Sequence, residues 1–226
     1  MGIRPLIKFF KEINICKSIY FNLHYFPLKT AVNLPVLVYR RTKLHRIGGE
    51  IKLNCKPAPG LVKLGPHGLG TQDKMYSRTI WECNGTLVVN GMASIGRGSK
   101  ISIGEEGKLI LGHDFTISGR SEIICQQEIT FGDGCLLSWD ILVMDNDSHH
   151  ITDKDGNSLP GTRPIKIGNH VWICCRSTVL KGVTIADDTI ISATSTITRS
   201  FHDTNCAIGG SGKDAKIVKS GINWQF

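Results

Sequence analysis

The densest cluster of groups able to perform acid–base chemistry is the six-residue segment Asp145-Asn-Asp-Ser-His-His150. Histidine accepts a proton near neutral pH, and a flanking carboxylate can fix its tautomer and raise its basicity. These residue types therefore indicate general-base catalysis by His149 or His150, with Asp145 or Asp147 orienting the ring. The same residues could instead be a solvated histidine pair beside Asx turns. Which of these two interpretations applies depends on the structure that positions the segment.

A six-residue repeat on both sides of this segment indicates the framework. β-Branched aliphatic residues occupy every sixth position near the C-terminus, at Ile167, Ile173, Val179, Ile185, Ile191 and Ile197. The same spacing recurs between residues 89 and 143, with two register shifts that we assign to turns of altered length. A period of six fits neither an α-helix nor simple strand alternation, but it fits a solenoid of short strands and turns. We predict such a stack, rather than two or three strands of an ordinary sheet.

Residues 144–164 interrupt the repeat with a polar stretch, and the repeat then resumes at once. A long polar loop with both ends anchored in a compact domain is typical of a functional element, so we expect it to be ordered. Glycines such as Gly98, Gly112, Gly132 and Gly134 lie where turns are expected, and we predict that they supply positive φ angles.

The predicted organisation has three parts. Residues 1–48 form a basic, partly helical N-terminal cap, with a helix within residues 4–26 and a short strand at residues 34–39. Residues 49–204 form the solenoid, and residues 205–226 form a C-terminal tail. Trp224 and Phe226 in that tail are expected to dock onto the same chain or onto a neighbouring copy.

The net charge of +8 is concentrated at the N-terminus, because residues up to Arg46 include nine Lys or Arg and one acid. This basic, apolar leader could lie on an anionic membrane surface or cap the end of the solenoid, and the two roles are compatible. The solenoid has no basic stripe with interleaved aromatics, so we expect no nucleic-acid partner. The start does not read as a signal peptide, and no apolar run is long enough to span a membrane. Eight scattered cysteines predict free thiols in a reducing compartment.

Three stretches resemble the closing units of the hexapeptide-repeat acyltransferases. They are Gly168-Asn-His-Val-Trp-Ile173, Val179-Leu-Lys-Gly-Val-Thr-Ile185 and Ile191-Ser-Ala-Thr-Ser-Thr-Ile197. Three further motifs resemble those of the sugar O-acetyltransferases of bacterial polysaccharide and lipopolysaccharide assembly. They are Ser138-Trp139, Asp145-x-Asp147-x-His149 and Arg163-Pro164. The resemblance covers roughly residues 85 to 220. It implies an all-β, left-handed parallel β-helix that forms a homotrimer, with active sites between neighbouring prisms.

The resemblance also implies an activity and a set of site residues. The activity is transfer of an acetyl group from acetyl-CoA to a sugar hydroxyl. Together with the free thiols and the basic N-terminus, we expect a cytoplasmic enzyme that could also lie at the inner face of the plasma membrane. The acceptor would be a sugar, a nucleotide sugar or a lipid-linked glycan, and no metal is expected. The implied catalytic residues are His149, Asp145 and Asp147; the implied CoA-binding residues are Trp172, Lys181, Ala193, Ser195, Lys216 and Lys219; the implied acceptor-binding residues are Trp139, His150 and Arg163.

Cys174, Ala186, Ser192 and Thr194 replace glycines that are common in the family, which places the donor site in question. Two alternatives therefore stay open. One is a non-catalytic trimeric β-helix scaffold. The other is a zinc enzyme similar to the γ-class carbonic anhydrases, for which His113 and His149 would be candidate ligands.

Overall fold

The computed structural model describes residues 12–73 and 75–225, and three parallel sheets contain nearly all of their strands. Consecutive strands pass from one sheet to the next, so that three strands make one coil of the chain. Except for the last strand of the nine-stranded sheet, each of these strands pairs in parallel with the strand one coil away, as in the register of Ile95 with Ile117 and of Ile117 with Leu137. The predicted left-handed parallel β-helix is confirmed.

The three sheets contain nine, seven and six strands. The nine-stranded sheet consists of β1 (Val36–Val38), β4 (Val62–Leu64), β7 (Ala93–Ile95), β10 (Phe115–Gly119), β13 (Leu136–Trp139), β18 (Trp172–Ile173), β21 (Thr189–Ile191), β23 (Cys206–Gly209) and β24 (Lys216–Ser220). The seven-stranded sheet consists of β2 (Thr42–Ile47), β5 (Thr79–Cys83), β8 (Lys100–Ile103), β11 (Glu122–Cys125), β14 (Leu142–Met144), β19 (Thr178–Leu180) and β22 (Thr196–Ile197). The six-stranded sheet consists of β3 (Glu50–Leu53), β6 (Thr86–Val89), β9 (Lys108–Leu111), β12 (Glu128–Phe131), β17 (Ile165–Ile167) and β20 (Thr184–Ile185).

The aliphatic residues of the six-residue repeat fill the interior of the prism. All six residues of the C-terminal run are at most 3 % exposed, and Val179 pairs with Ile197 one coil later, which is three repeats along the sequence. The earlier coils are longer, since Ile101 pairs with Ile123. There, single strands supply two inward side chains, such as Ile101 and Ile103 of β8. The register shifts therefore lie within strands, and their assignment to turns was wrong.

Close contact between coils, more than backbone conformation, accounts for several of the turn glycines. Gly98 and Gly134 have φ angles of +81° and +68°, as predicted. Gly132 does not have a positive φ, but a Cβ there would lie 2.7 Å from the backbone carbon of Gly168 in the next coil. Turns also place non-glycine residues in the left-handed region, for example Asp188 with φ of 54°.

Two helices, α1 (Ile15–Tyr25) and α2 (Leu28–Ala31), close the N-terminal end of the prism. Asn14 caps α1 by accepting a hydrogen bond from the backbone N–H of Lys17. The side-chain amide of Asn22 in α1 accepts a hydrogen bond from the Val36 N–H at 3.0 Å and donates one to the Val36 carbonyl oxygen at 2.7 Å. It thereby pairs backbone groups that the open edge of β1 would otherwise leave without partners. Predicted helix residues 4–11 lie outside the described residues. None of the helices in the described ranges is long and apolar enough to span a bilayer.

The parallel stacking extends beyond the predicted limits of the solenoid at both ends. Strands β1 and β2 pair in parallel with β4 and β5, so stacking begins at Val36, within the segment predicted as the cap. At the other end β23 pairs in parallel with β21, and a 3-10 helix (Gly212–Asp214) then leads to the antiparallel strand β24. The predicted strand near residues 34–39 thus belongs to the first coil.

The C-terminal tail docks onto its own chain through Trp224. Its ring stacks on that of His170 with centroids 4.3 Å apart, and its Nε1 donates to the His170 carbonyl oxygen at 2.8 Å. Phe226 lies outside the described residues. All eight cysteines are free thiols.

Candidate active site

The histidine loop, residues 144–164, leaves the prism between β14 and β17, where the seven-stranded sheet gives way to the six-stranded sheet. Its base is closed by an antiparallel bridge between Asn146 and Thr162 and by a hydrogen bond from the Asp147 N–H to the Gly161 carbonyl oxygen. Its outer part forms a two-stranded hairpin of β15 (Ile151–Thr152) and β16 (Ser158–Leu159). The loop is therefore a paired ribbon, which agrees with the prediction of an ordered element.

Asp145 is buried beneath this loop and serves as an anchor for backbone. Its two carboxylate oxygens accept hydrogen bonds from the N–H groups of Gln126 and Gln127, both at 2.8 Å, and it is 0 % exposed. A buried carboxylate needs such partners because its burial without them would be costly. This geometry differs from the predicted role, since the carboxylate faces the preceding coil and makes no hydrogen bond to His149.

Asp147 forms an ion pair with Lys181 of the next coil. Lys181 also donates to the carbonyl oxygen of Pro160, at 2.6 Å, on the opposite side of the loop. One ammonium group therefore joins the two halves of the histidine loop. The structure gives Lys181 and Asp147 a structural contact, which differs from the predicted roles of CoA ligand and histidine-orienting residue.

His149 and His150 are both exposed. His149 lines a cavity together with Gln126, Asn146, Gly161 and Thr162. Within residues 12–73 and 75–225, neither imidazole has a hydrogen-bond partner in this single chain. The ring of His149 is thus free to meet a ligand from the cavity, but the feature predicted to orient it is absent.

A polar groove continues from this cavity toward the N-terminal cap, and sequence reasoning missed it. The two share Gln126 and Thr162. The polar groove is lined by Arg46, Glu82, Asn84, Ser102, Gly104, Glu105, Glu106, Gln126, Gln127 and Thr162. Glu82 and Ser102 are opposite each other on neighbouring strands, and the Ser102 hydroxyl donates to the Glu82 carboxylate at 3.3 Å. The sequence contains only a weak signal for this groove, namely polar residues that recur at outward strand positions and in the turns of successive coils.

The tryptophans predicted at the site lie on the nine-stranded sheet, not beside the histidine loop. Trp172 is half-buried, its Nε1 donates to the Ser138 hydroxyl at 2.9 Å, and its ring is 5.8 Å from that of Trp224. Trp139 is half-buried at the end of β13. The histidine loop instead projects from the corner between the other two sheets. One chain therefore does not place Trp172 and His149 in a single cavity.

The other predicted CoA-binding residues are distributed along the last coils. Ala193 is exposed, but Ser195 is only 2 % exposed and faces the interior, where small residues fit the corner of the prism. The predicted contact of the Ser195 side chain with CoA therefore does not fit this position. Lys216 and Lys219 are exposed on the edge strand β24.

Two of the sequence-based predictions remain, namely the acceptor-binding role of Arg163 and the question of a metal site. Arg163 is exposed at the end of the histidine loop, and its backbone N–H donates a hydrogen bond to the Asp145 carbonyl oxygen at 3.0 Å. Among the residues that the structure describes, no three His, Cys, Asp or Glu side chains are grouped so that they could hold a metal ion.

The fold is a parallel β-helix built on a six-residue repeat, with an imidazole presented from a loop. Residues 164–199 match the family model described as bacterial transferase hexapeptide (six repeats). The resemblance predicted from the sequence, to the hexapeptide-repeat acyltransferases and their sugar O-acetyltransferases, is confirmed.

Individual relatives share moderate identity with the chain. A 24.8 kDa uncharacterized protein of the cps region of Klebsiella pneumoniae is 28 % identical over 160 residues, which are 70 % of each chain. The galactoside O-acetyltransferase of Escherichia coli K12 is 31 % identical over 101 residues. These residues are 44 % of this chain and 49 % of the E. coli protein. The crystal structure of the polySia-specific acetyltransferase NeuO superposes with a TM-score of 0.52 at 22 % identity, covering 85 % of this chain and 79 % of that one.

Proposed function

We propose that this protein is an O-acetyltransferase that moves an acetyl group from acetyl-CoA to a sugar hydroxyl. The observation that carries the proposal is the exposed His149, held by an ordered loop at the end of a polar groove. The name of the galactoside O-acetyltransferase among its relatives supports both the reaction and the acceptor class.

The proposed chemistry assigns one proton transfer to His149 in each direction. Acetyl-CoA supplies the acyl group as a thioester. The imidazole takes the proton of the acceptor hydroxyl as that oxygen bonds to the thioester carbonyl carbon, and it returns the proton to sulfur as the C–S bond breaks. General-base catalysis of this kind contributes about 100- to 10,000-fold in rate. His150 is the alternative base, and it is also exposed.

The donor side of the site is proposed to come from a neighbouring copy in a homotrimer. In one chain, Trp172 and Lys216 lie on the nine-stranded sheet, while His149 lies at the opposite corner. Association of copies would bring the two groups together. The measured mass should then be three times that of the chain, and mixing inactive His149→Ala with inactive Trp172→Ala chains should restore part of the activity.

The acceptor is proposed to lie in the polar groove, where amide, hydroxyl and carboxylate groups can exchange hydrogen bonds with sugar hydroxyls. This composition fits a sugar acceptor, and we propose that the acceptor is a glycan of bacterial surface polysaccharide or lipopolysaccharide biosynthesis, supplied as a nucleotide sugar or on a lipid carrier. The free thiols support a cytoplasmic location.

A turnover assay with acetyl-CoA and a panel of sugars, nucleotide sugars and lipid-linked glycans tests the proposal. His149→Ala should lower kcat at least about a hundredfold while the fold and the assembly are kept. His150→Ala is the matched control and should retain most of the activity. If His150→Ala is inactive and His149→Ala is not, the base is His150. If no acceptor is acetylated, the non-catalytic scaffold becomes the better explanation.

A further inference from the structure

The solvent side of α1 is almost entirely apolar, although a surface helix normally presents charged residues there. The side of α1 that includes Ser18, Phe21 and Asn22 already packs on the prism. Its exposed residues are Ile15, Cys16, Ile19, Tyr20, Leu23 and His24. Ile19, Tyr20 and Leu23 are 45 %, 55 % and 53 % exposed, so large apolar side chains face solvent on the outside of the helix.

Large apolar side chains are exposed at the next helix as well. Leu28, at the start of α2, is 68 % exposed, and Val32, just after its end, is 66 % exposed. Several large apolar residues exposed on neighbouring elements mark an interaction site on a soluble protein when they form one patch. We define the cap patch as Ile19, Tyr20, Leu23, Leu28 and Val32.

A basic groove runs along one flank of the cap patch. Tyr20 lines it together with Lys17, Arg40, Arg41, Thr42, Lys43, Leu44 and Arg78. Arg40, Arg41 and Lys43 are exposed, and across the described ranges none of the three forms an ion pair with a carboxylate. Their charge is uncompensated in the sequence as well, because Glu12 is the single acid before Glu50.

We propose that the cap patch and the adjoining basic groove bind the surface of an anionic lipid bilayer. Aliphatic and tyrosine side chains enter the boundary between headgroups and acyl chains, while Arg and Lys meet the lipid phosphates. Charge complementarity favours this occupant, since the groove combines several cations with no opposing acid. The residues before Glu12 add Arg4, Lys8 and Lys11 to the same end of the sequence.

Co-sedimentation with vesicles tests the proposal on the full chain. We expect binding to vesicles of phosphatidylcholine that contain a minority of phosphatidylglycerol, and no binding to pure phosphatidylcholine. Arg40→Gln/Arg41→Gln should weaken binding by about fivefold per charge removed. Ile19→Ser/Leu23→Ser should weaken it by about tenfold or more, and a high salt concentration should weaken binding of the unchanged chain.

Two matched variants serve as controls. Lys63→Gln/Lys166→Gln removes two exposed lysines that do not line the basic groove, and Met92→Ser/Val218→Ser removes two exposed apolar residues outside α1 and α2. Both should bind vesicles like the unchanged chain, and circular dichroism should show all variants folded. The proposal is overturned if the controls weaken binding equally, or if no anionic vesicle binds. It is also overturned if Ile19→Ser/Leu23→Ser alters only the mass of the assembly, since a second copy would then cover the patch.

Discussion

Lys181 connects residues that are distant in sequence but share the histidine loop. Its ammonium group contacts the Asp147 carboxylate and the Pro160 carbonyl oxygen, and the side chains of Lys181 and Asp147 are only 24 % and 25 % exposed. Partial burial and a second acceptor make such a pair more valuable than an isolated surface ion pair. Asp147 is two residues from His149, so this contact sets where the turn that carries the imidazole begins.

Replacement of Lys181 should therefore affect turnover more than stability. In Lys181→Met we expect kcat to fall by about tenfold, because small displacements of a catalytic group are costly. The melting temperature should change little, since the loop lies outside the interior of the prism. Steady-state kinetics and a thermal scan measure the two effects.

Two comparisons make this prediction specific. Lys166→Met removes an exposed lysine of β17 that forms no ion pair in the described structure, and it should leave kcat unchanged. Asp147→Asn combined with Lys181→Met should be no worse than either single change, since both break the same contact. If Lys181→Met instead raises only the KM for acetyl-CoA, Lys181 is a donor ligand, as the family resemblance implied.

The coils differ in how well a sequence pattern can predict them. Each of the last coils consists of three six-residue units, so one inward aliphatic residue per strand produces a strict period of six from Ile167 to Ile197. The earlier coils have two inward residues in single strands, and the same pattern breaks there although the fold does not. The roles of Asp145 and Gln126 could not be predicted, because their contact joins positions 19 residues apart through a coil spacing that the pattern does not define.

The prism also buries the thiols of Cys83, Cys125 and Cys135, and their titration affects stability. Burial raises the pKa of Cys83, Cys125 and Cys135 from an ordinary value of 9.0 to about 12. Between these values the unfolded chain has lost protons that the folded chain keeps. The free energy of unfolding therefore falls as the pH rises from about 9 to about 12, and the contribution is fully present below pH 9.

Denaturant unfolding at pH 8 and pH 10.5 measures this effect. We expect the unchanged protein to lose stability between the two values. Cys125→Val, which keeps an apolar side chain of similar size, should lose less over the same interval. An equal loss in both proteins would mean that groups other than this thiol cause the alkaline destabilisation.

The proposed membrane-binding surface and the histidine loop lie at different positions along the axis of the prism. The cap patch lies at the first coil, and the histidine loop is inserted into the fifth coil. Strands of neighbouring coils are about 4.8 Å apart, so His149 lies roughly 20 Å from the cap along the prism. The polar groove covers this interval, with Arg46 in the first coil, Glu82 in the second, Ser102 in the third and Gln126 in the fourth.

A groove with this course predicts that the enzyme prefers extended acceptors. An acceptor of several sugar residues can place one hydroxyl at His149 and bond the groove with the rest, so kcat/KM should rise with the number of residues and then level off. Ser102→Trp would fill the middle of the groove and should reduce kcat/KM for long acceptors at least about tenfold, with little effect on a monosaccharide. Ser94→Trp, at an outward position of the nine-stranded sheet in the same coil, is the control and should not distinguish acceptor lengths. Equal rates for all lengths, unchanged by Ser102→Trp, would mean that the acceptor approaches His149 from another side.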